Sequence, residues 1–177
     1  MTSLKTILLL RHAKSAWDSP RLADHDRPLN RRGEQAAQTM AEHIAHHAPR
    51  PDLILCSTAM RTRQTLAPLV GALGSPAPPI SLEKGLYLAS EDELLERLQA
   101  LPEDIETILL IGHNEGIGEL AVALAGHGPR QVLELLREKY PTGALASLRL
   151  PPGPWSSLGP GTCELLAFVR PRDFDNR

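Results

Sequence analysis

A chain of 177 residues, 42% hydrophobic and 23% charged, is long enough to bury a core without disulfides or a structural metal, and too balanced in composition for wholesale disorder. Its formal net charge of -2 removes the strong basic field of a sequence-independent nucleic-acid binder, so any recognition of phosphate has to be local. The opening apolar run, Ile7-Leu8-Leu9-Leu10, is far short of the roughly 20 residues that a spanning helix needs and has no small-residue cleavage site. The expectation is therefore one domain over residues 1–177, monomeric and cytoplasmic, without membrane or nucleic-acid contact, and with Cys56 and Cys163 as reduced thiols.

In chain order, short apolar runs alternate with helix-period stretches, the pattern of βαβ units and a largely parallel sheet. Ile7 to Leu10 predicts the first strand. Ala37, Met40, Ala41 and Ile44, spaced i, i+3, i+4, i+7, predict an amphipathic helix, and Leu53 to Cys56 a second strand. Leu66, Leu69, Val70 and Leu73 repeat the helical spacing around Pro68, which predicts a kink or a later helix start there. Ser90, with Glu93 three residues on, has capping-box spacing ahead of Leu94, Leu95, Leu98 and Leu101. Ile108 to Ile111 is the third strand, and Ile117, Leu120, Ala121 and Leu124 mark a fourth helix. Past Gly126 a polar helix is expected from Gln131 to Lys139, then strands from Ala144 to Leu150 and from Cys163 to Val169. The Pro/Gly-rich loop PPGPWSSLGPG joins these two strands, which are expected to pair antiparallel at or beside a sheet edge.

Ligands of open α/β sheets bind beyond the carboxyl ends of the strands, so the residues after each apolar run matter most. They are Arg11-His12-Ala13-Lys14-Ser15, then Ser57-Thr58-Ala59-Met60-Arg61, then Gly112-His113-Asn114. Two arginines and two histidines would converge on one edge. Guanidinium groups grip a phosphate dianion bidentately without losing charge. A neutral imidazole is a competent nucleophile near neutral pH, so one histidine can accept a phosphoryl group while the other hydrogen-bonds its equatorial oxygens.

On these residues, LLLRHAKSAW resembles the RHG-type signature of the histidine phosphatase superfamily, with Ala13 where glycine is commonest, and most resembles its SixA-like branch. Asp26-Arg27-Pro28-Leu29 before Arg32-Gly33 looks like the second block of that pattern, Ser57 through Arg61 to Gln64-Thr65 like the third, and Gly112-His113-Asn114 like the fourth. The stretches PTGALASLRL and ELLAFVRPRD also resemble the branch, so the likeness spans nearly the whole chain. It implies a phosphoglycerate mutase-like α/β fold, a three-layer sandwich whose central, mostly parallel sheet is flanked by helices. It also implies His12 as the phosphorylated nucleophile, Arg11, Arg61 and His113 as the rest of the phosphate pocket, and no cofactor or metal. Larger members of the superfamily add a glutamate proton donor after the third block, for which the nearest candidate is Glu83 in SLEKGLY. SixA-like members imply a phosphohistidine-containing protein as substrate, with small phosphate esters as the other class.

Other clusters have plainer readings. His43, His46 and His47 look like a solvated helix face rather than a metal site, because no carboxylate or cysteine stands at a matching spacing. Asp24, His25 and Asp26 are expected to cap a loop or pair with Arg27 or Arg31 rather than hold a cation or do acid–base work. Cys56 is expected to be buried and structural, Lys14 and Ser15 stay outside the catalytic set, and Trp155 either packs its loop onto the body or borders the cleft. Three functions remain in play: a phosphohydrolase working through phosphohistidine, a phosphomutase of a small metabolite, and a non-catalytic phosphoprotein-binding module.

Overall fold

The computed structural model describes residues 4–175. Seven strands form one sheet: β1 (Lys5–Arg11), β2 (Leu53–Ser57), β3 (Ile80–Glu83), β4 (Thr107–Gly112), β5 (Ala125–His127), β6 (Leu145–Leu150) and β7 (Cys163–Val169), in the order β3-β2-β4-β1-β6-β7-β5. β1 to β4 are mutually parallel, and β6 runs antiparallel to both β1 and β7. Five helices cover the sheet: α1 (Arg31–His47), α2 (Met60–Leu73), α3 (Glu91–Gln99), α4 (Gly116–Leu124) and α5 (Arg130–Glu138).

The central strands are apolar throughout because both of their faces are covered. Ile7 and Leu9 of β1, with Ile108 and Leu110 of β4, pack toward Leu94 and Leu98 of α3 and Ile117 and Leu120 of α4. Leu8, Leu10, Leu109 and Ile111 pack on the other face with Met40 and Ile44 of α1 and Leu66 and Leu69 of α2. Neighbouring strands β1 and β4 thus send their following helices to opposite faces. A crevice opens where this happens.

The structure adds detail in four places. β3 escapes apolar patterning because Ile80 and Leu82 are 40% and 51% exposed, and backbone pairing with β2 makes the strand. β5 is three residues long and pairs with β7 at the sheet edge. α2 does not start late: it runs from Met60 through Pro68 to Leu73, although the proline cannot donate to the Gln64 carbonyl. Trp155 is fully buried, and its indole N–H donates to the Ile105 carbonyl at 2.9 Å, so it fastens its loop to the core and does not border the cleft. Cys56 and Cys163 are both free and sit in the cores on opposite faces of the sheet. Burial pushes the Cys56 thiol up to about 12, so it is no thiolate nucleophile. No helix among the described residues is long and apolar enough to cross a membrane.

The loop after β1 is fixed by the start of α1. Asn30 caps that helix by accepting from the Gly33 N–H at 2.8 Å, while its own N–H donates to the Lys14 carbonyl at 3.0 Å. A Cβ at Gly33 would stand 2.0 Å from the same Lys14 oxygen. Gly33→Ala should therefore cost about 1–3 kcal/mol in urea unfolding through forced backbone displacement. Gly71→Ala, an exposed helix-interior site with nothing within 4 Å, should instead gain about 0.5–1 kcal/mol. Equal effects from the two substitutions would contradict this seating of α1.

Candidate active site

The parallel register of β1 and β4 pairs Arg11 with Gly112, and the His12 N–H donates to the Gly112 carbonyl at 3.0 Å. The residues that follow are thereby set side by side, with the His12 and His113 rings 5.3 Å apart. β2 pairs with β4 on the other side and ends at Ser57, from which α2 brings in Arg61 on its first turn, 2% exposed. Arg11, His12, Arg61 and His113 all line one pocket of about 440 Å³. A wider hollow of about 520 Å³ beside α4 and α5 shares Asn114 with it, but its cations, Arg137 and Lys139, are exposed. The two imidazoles and the buried guanidinium groups lie in the smaller pocket.

His12 Nδ1 stands 2.6 Å from the Ala13 carbonyl oxygen. A carbonyl only accepts, so Nδ1 carries the hydrogen and the Nε2 lone pair is left free. Burial pulls the imidazole down to about 4 against the opposing pull of that hydrogen bond, and the Arg11, Arg61 and Arg27 charges lower it further. His113 falls to about 3, first through burial and then through the neighbouring His12 and Arg61, while its Nε2 lies 2.8 Å from Ser57 Oγ. Both rings are neutral at neutral pH.

The cations are held from behind. Arg11 donates from Nη1 to the Tyr140 carbonyl at 2.9 Å, and Arg61 donates from Nη1 to the Asp24 carbonyl at 2.7 Å and from Nη2 to Asp24 Oδ2 at 3.0 Å. Among the described residues, Arg11 Nε, Arg61 Nε and His113 Nδ1, buried atoms of residues that line this pocket, have no hydrogen-bond partner. Unmet buried polar groups each cost free energy, and an oxyanion among them would meet the two guanidinium donors bidentately. Among the described residues, no group of three or more His, Cys, Asp or Glu is placed to hold a metal ion. His43 and His47 instead stack on each other at 5.1 Å, with Phe174 against His43 at 5.3 Å.

Asp24, Tyr87, Arg27 and Ser57 were left out of the candidate set by the sequence reading. Asp24 pairs with Arg27 Nε at 3.1 Å, as its spacing suggested, but it also enters the pocket, bound to Arg61 and to the Tyr87 hydroxyl. The Tyr87 hydrogen bond leads the causes that hold its carboxyl at about 2, with Arg61 and Arg27 adding to it. His25 is taken up by Thr58 Oγ1 at 2.8 Å and by the edge of the Tyr87 ring. Glu83 lies outside this pocket. It ends β3 facing α3, where Arg97 grips both of its oxygens at 2.7 and 2.9 Å and Ser81 adds a third bond. Arg97 holds its pKa below the usual carboxylate value, and it borders a separate hollow with Glu93 and Glu96, so it is not placed to give a proton in the pocket.

The depressed imidazoles have a consequence for stability. An unfolded histidine takes up its proton near pH 6.5 and folded His12 only near 4, so between these values the unfolded chain binds more protons. Stability is thus undiminished above about pH 6.5 and falls with acidification toward pH 4, by on the order of 3 kcal/mol from His12. Urea unfolding as a function of pH, compared with His12→Asn, checks this. The variant should lose part of the acid slope, and an unchanged slope would contradict a buried neutral His12.

A model of the histidine phosphatase superfamily (branch 1) matches residues 7–87, the part that carries Arg11, His12 and Arg61. An uncharacterized protein of Mycobacterium tuberculosis is 38% identical over 165 residues, covering 92% of this chain and 100% of that one. Among solved structures, a candidate phosphohistidine phosphatase SixA from Nakamurella multipartitia is 31% identical with a TM-score of 0.80, over 96% of this chain and 97% of that one. Its counterpart from Agrobacterium tumefaciens is 31% identical with a TM-score of 0.79, over 94% and 97%. With relatives at this identity along nearly its whole length, and with the imidazole and guanidinium pocket at the ends of β1 and β4, the chain belongs to the histidine phosphatase superfamily, in its SixA-like branch.

Proposed function

We propose that this protein is a phosphatase that takes a phosphoryl group onto Nε2 of His12 and then hydrolyses the phosphoenzyme, with phosphohistidine in proteins as its substrate class. The observation that carries the reading is the free Nε2 lone pair of a neutral imidazole beside two buried guanidinium groups with unmet donors. Superfamily membership supports phosphatase chemistry, and the name of the Nakamurella relative supports the substrate class.

Arg11, Arg61 and His113 hold the phosphoryl oxygens, and the Nε2 lone pair attacks phosphorus in line with the departing atom. Two guanidinium charges meet the negative charge of the transition state, so the pocket's own cations do the electrostatic work asked of it. Water then attacks the phosphoimidazole, the N–P bond breaks, and inorganic phosphate leaves. The carboxyl group lining the pocket, Asp24, is ionised and has no proton to give to an alkoxide. An imidazole leaving group takes its proton on the other ring nitrogen and asks for less help than an alkoxide does.

A kinetic panel tests this. Phosphohistidine protein should exceed phosphoserine peptide in kcat/KM by about a hundredfold or more, the usual worth of a general acid that an alkoxide would need. His12→Ala should reduce turnover to background with the fold retained, Glu83→Gln should leave phosphohistidine turnover within about twofold, and chelators should have no effect. Equal rates on the two phosphopeptides, or activity remaining in His12→Ala, would contradict the reading.

A further inference from the structure

We propose that Trp17 and Leu88 are specificity-determining residues that clasp a planar leaving group at the mouth of the phosphate pocket, the imidazole ring of phosphohistidine being the group that fits. This rests on the phosphatase reading above and adds what selects the substituent on phosphorus.

The pocket is graded from floor to rim. His12, Arg61 and His113 are 7%, 2% and 3% exposed, whereas Trp17 is 78% and Leu88 56% exposed, and all five line the same pocket. Displacement at phosphorus puts attacking and departing atoms in line. With His12 attacking from the floor, the leaving group lies on the outward side of phosphorus, at the rim. A pocket of about 440 Å³ is larger than a phosphoryl group fills, so a ring can stand in its outer part.

Both rim residues carry marks beyond exposure. The Trp17 ring lies over the Arg27 guanidinium at 3.5 Å, and Arg27 is itself buried and fixed by Ser15 Oγ at 2.8 Å, the Ala16 carbonyl at 3.2 Å and Asp24. One face of the indole is thus backed by an anchored cation while the ring as a whole stays open to solvent. A side chain held in this way loses little freedom when a ligand stacks on it. Leu88 has φ +52, a left-handed backbone that a leucine adopts only at a cost and a glycine adopts freely. An apolar side chain kept exposed at such a position, against its backbone preference and beside a reactive pocket, is explained if the side chain meets a ligand. A flat aromatic leaving group satisfies the two surfaces together, whereas an ammonia leaving group touches neither.

The experiment compares phosphohistidine with phosphoramidate, which share the P–N bond and differ in the ring. In Trp17→Ala, kcat/KM for phosphohistidine should fall by up to about tenfold, the upper end of what one aromatic contact contributes, while phosphoramidate stays within about twofold. Trp17→Phe should restore most of the loss. Leu88→Gly, which relieves the backbone, should remain folded and show a smaller loss of the same selectivity. An equal fall on both substrates would make Trp17 a support for Arg27 and overturn the proposal, as would no change on either. Wild-type protein that hydrolyses phosphoramidate but not phosphohistidine would overturn the substrate reading and this inference with it, whereas wild-type activity on both without a selective loss in the variants overturns this inference alone.

Discussion

Positive charge held out of water at the carboxyl ends of β1 and β4 is the constraint around which the rest of this molecule is arranged. Arg61 is nearly fully enclosed, Arg11 is partly so, and Arg27, which lines the same pocket, is also buried. Burying a cation is costly unless fixed acceptors replace its water. Here the acceptors are the Tyr140 and Asp24 carbonyls, the Asp24 carboxylate, Ser15 Oγ and the Ala16 carbonyl. The same burial that makes the arginines expensive keeps His12 and His113 neutral, and the neighbouring arginine charges add to it, so the state of the proposed nucleophile follows first from its enclosure. Asp24 offsets part of the charge without closing the site, because its carboxylate engages terminal nitrogens and leaves Arg61 Nε unmet.

The supports of this cluster come from distant parts of the chain. Tyr140, buried after α5, donates its hydroxyl to the Leu9 carbonyl at 2.6 Å and accepts from the Ala146 N–H at 3.0 Å, which fixes it between β1 and β6. Its carbonyl then holds both Arg11 and the Asn114 amide. Residues well beyond the stretch 7–87 that the superfamily model matches therefore position the first arginine of the site. From the other direction, Thr65 Oγ1 accepts from the Ala13 N–H at 3.0 Å, tying the turn after His12 to α2 and hence to Arg61. Ala13, standing where the superfamily most often has glycine, is fully buried in this tie.

Much of this was legible in the sequence because parallel strands carry their following residues to one edge. Once Ile7 to Leu10, Leu53 to Cys56 and Ile108 to Ile111 are recognised as strands, Arg11, His12, Arg61 and His113 converge without further assumption. What escaped depends on tertiary placement. Asp24 and Tyr87 are 63 residues apart and meet through loops whose course no local pattern encodes. Glu83 was singled out by its place after the third block of the superfamily pattern, which does not say where the side chain faces, and Arg97 on α3 offers its carboxylate a partner outside the pocket. β3 was invisible for a related reason: an exposed edge strand is held by backbone pairing and shows no apolar stripe. The strained, exposed Leu88 has no sequence signature at all, since leucine is an ordinary residue whose backbone angle is not.

Whether the phosphoryl group resides on His12 during turnover is decided by trapping the intermediate. Wild-type protein would be mixed with a reactive phosphoryl donor, quenched in alkali within a turnover, digested and mapped by mass spectrometry. The account predicts an acid-labile, alkali-stable phosphoryl group on Nε2 of His12, and its disappearance at the rate at which inorganic phosphate appears. A phosphoryl group found on His113 or on Ser57, or turnover with no phosphoenzyme at any quench time, would contradict it.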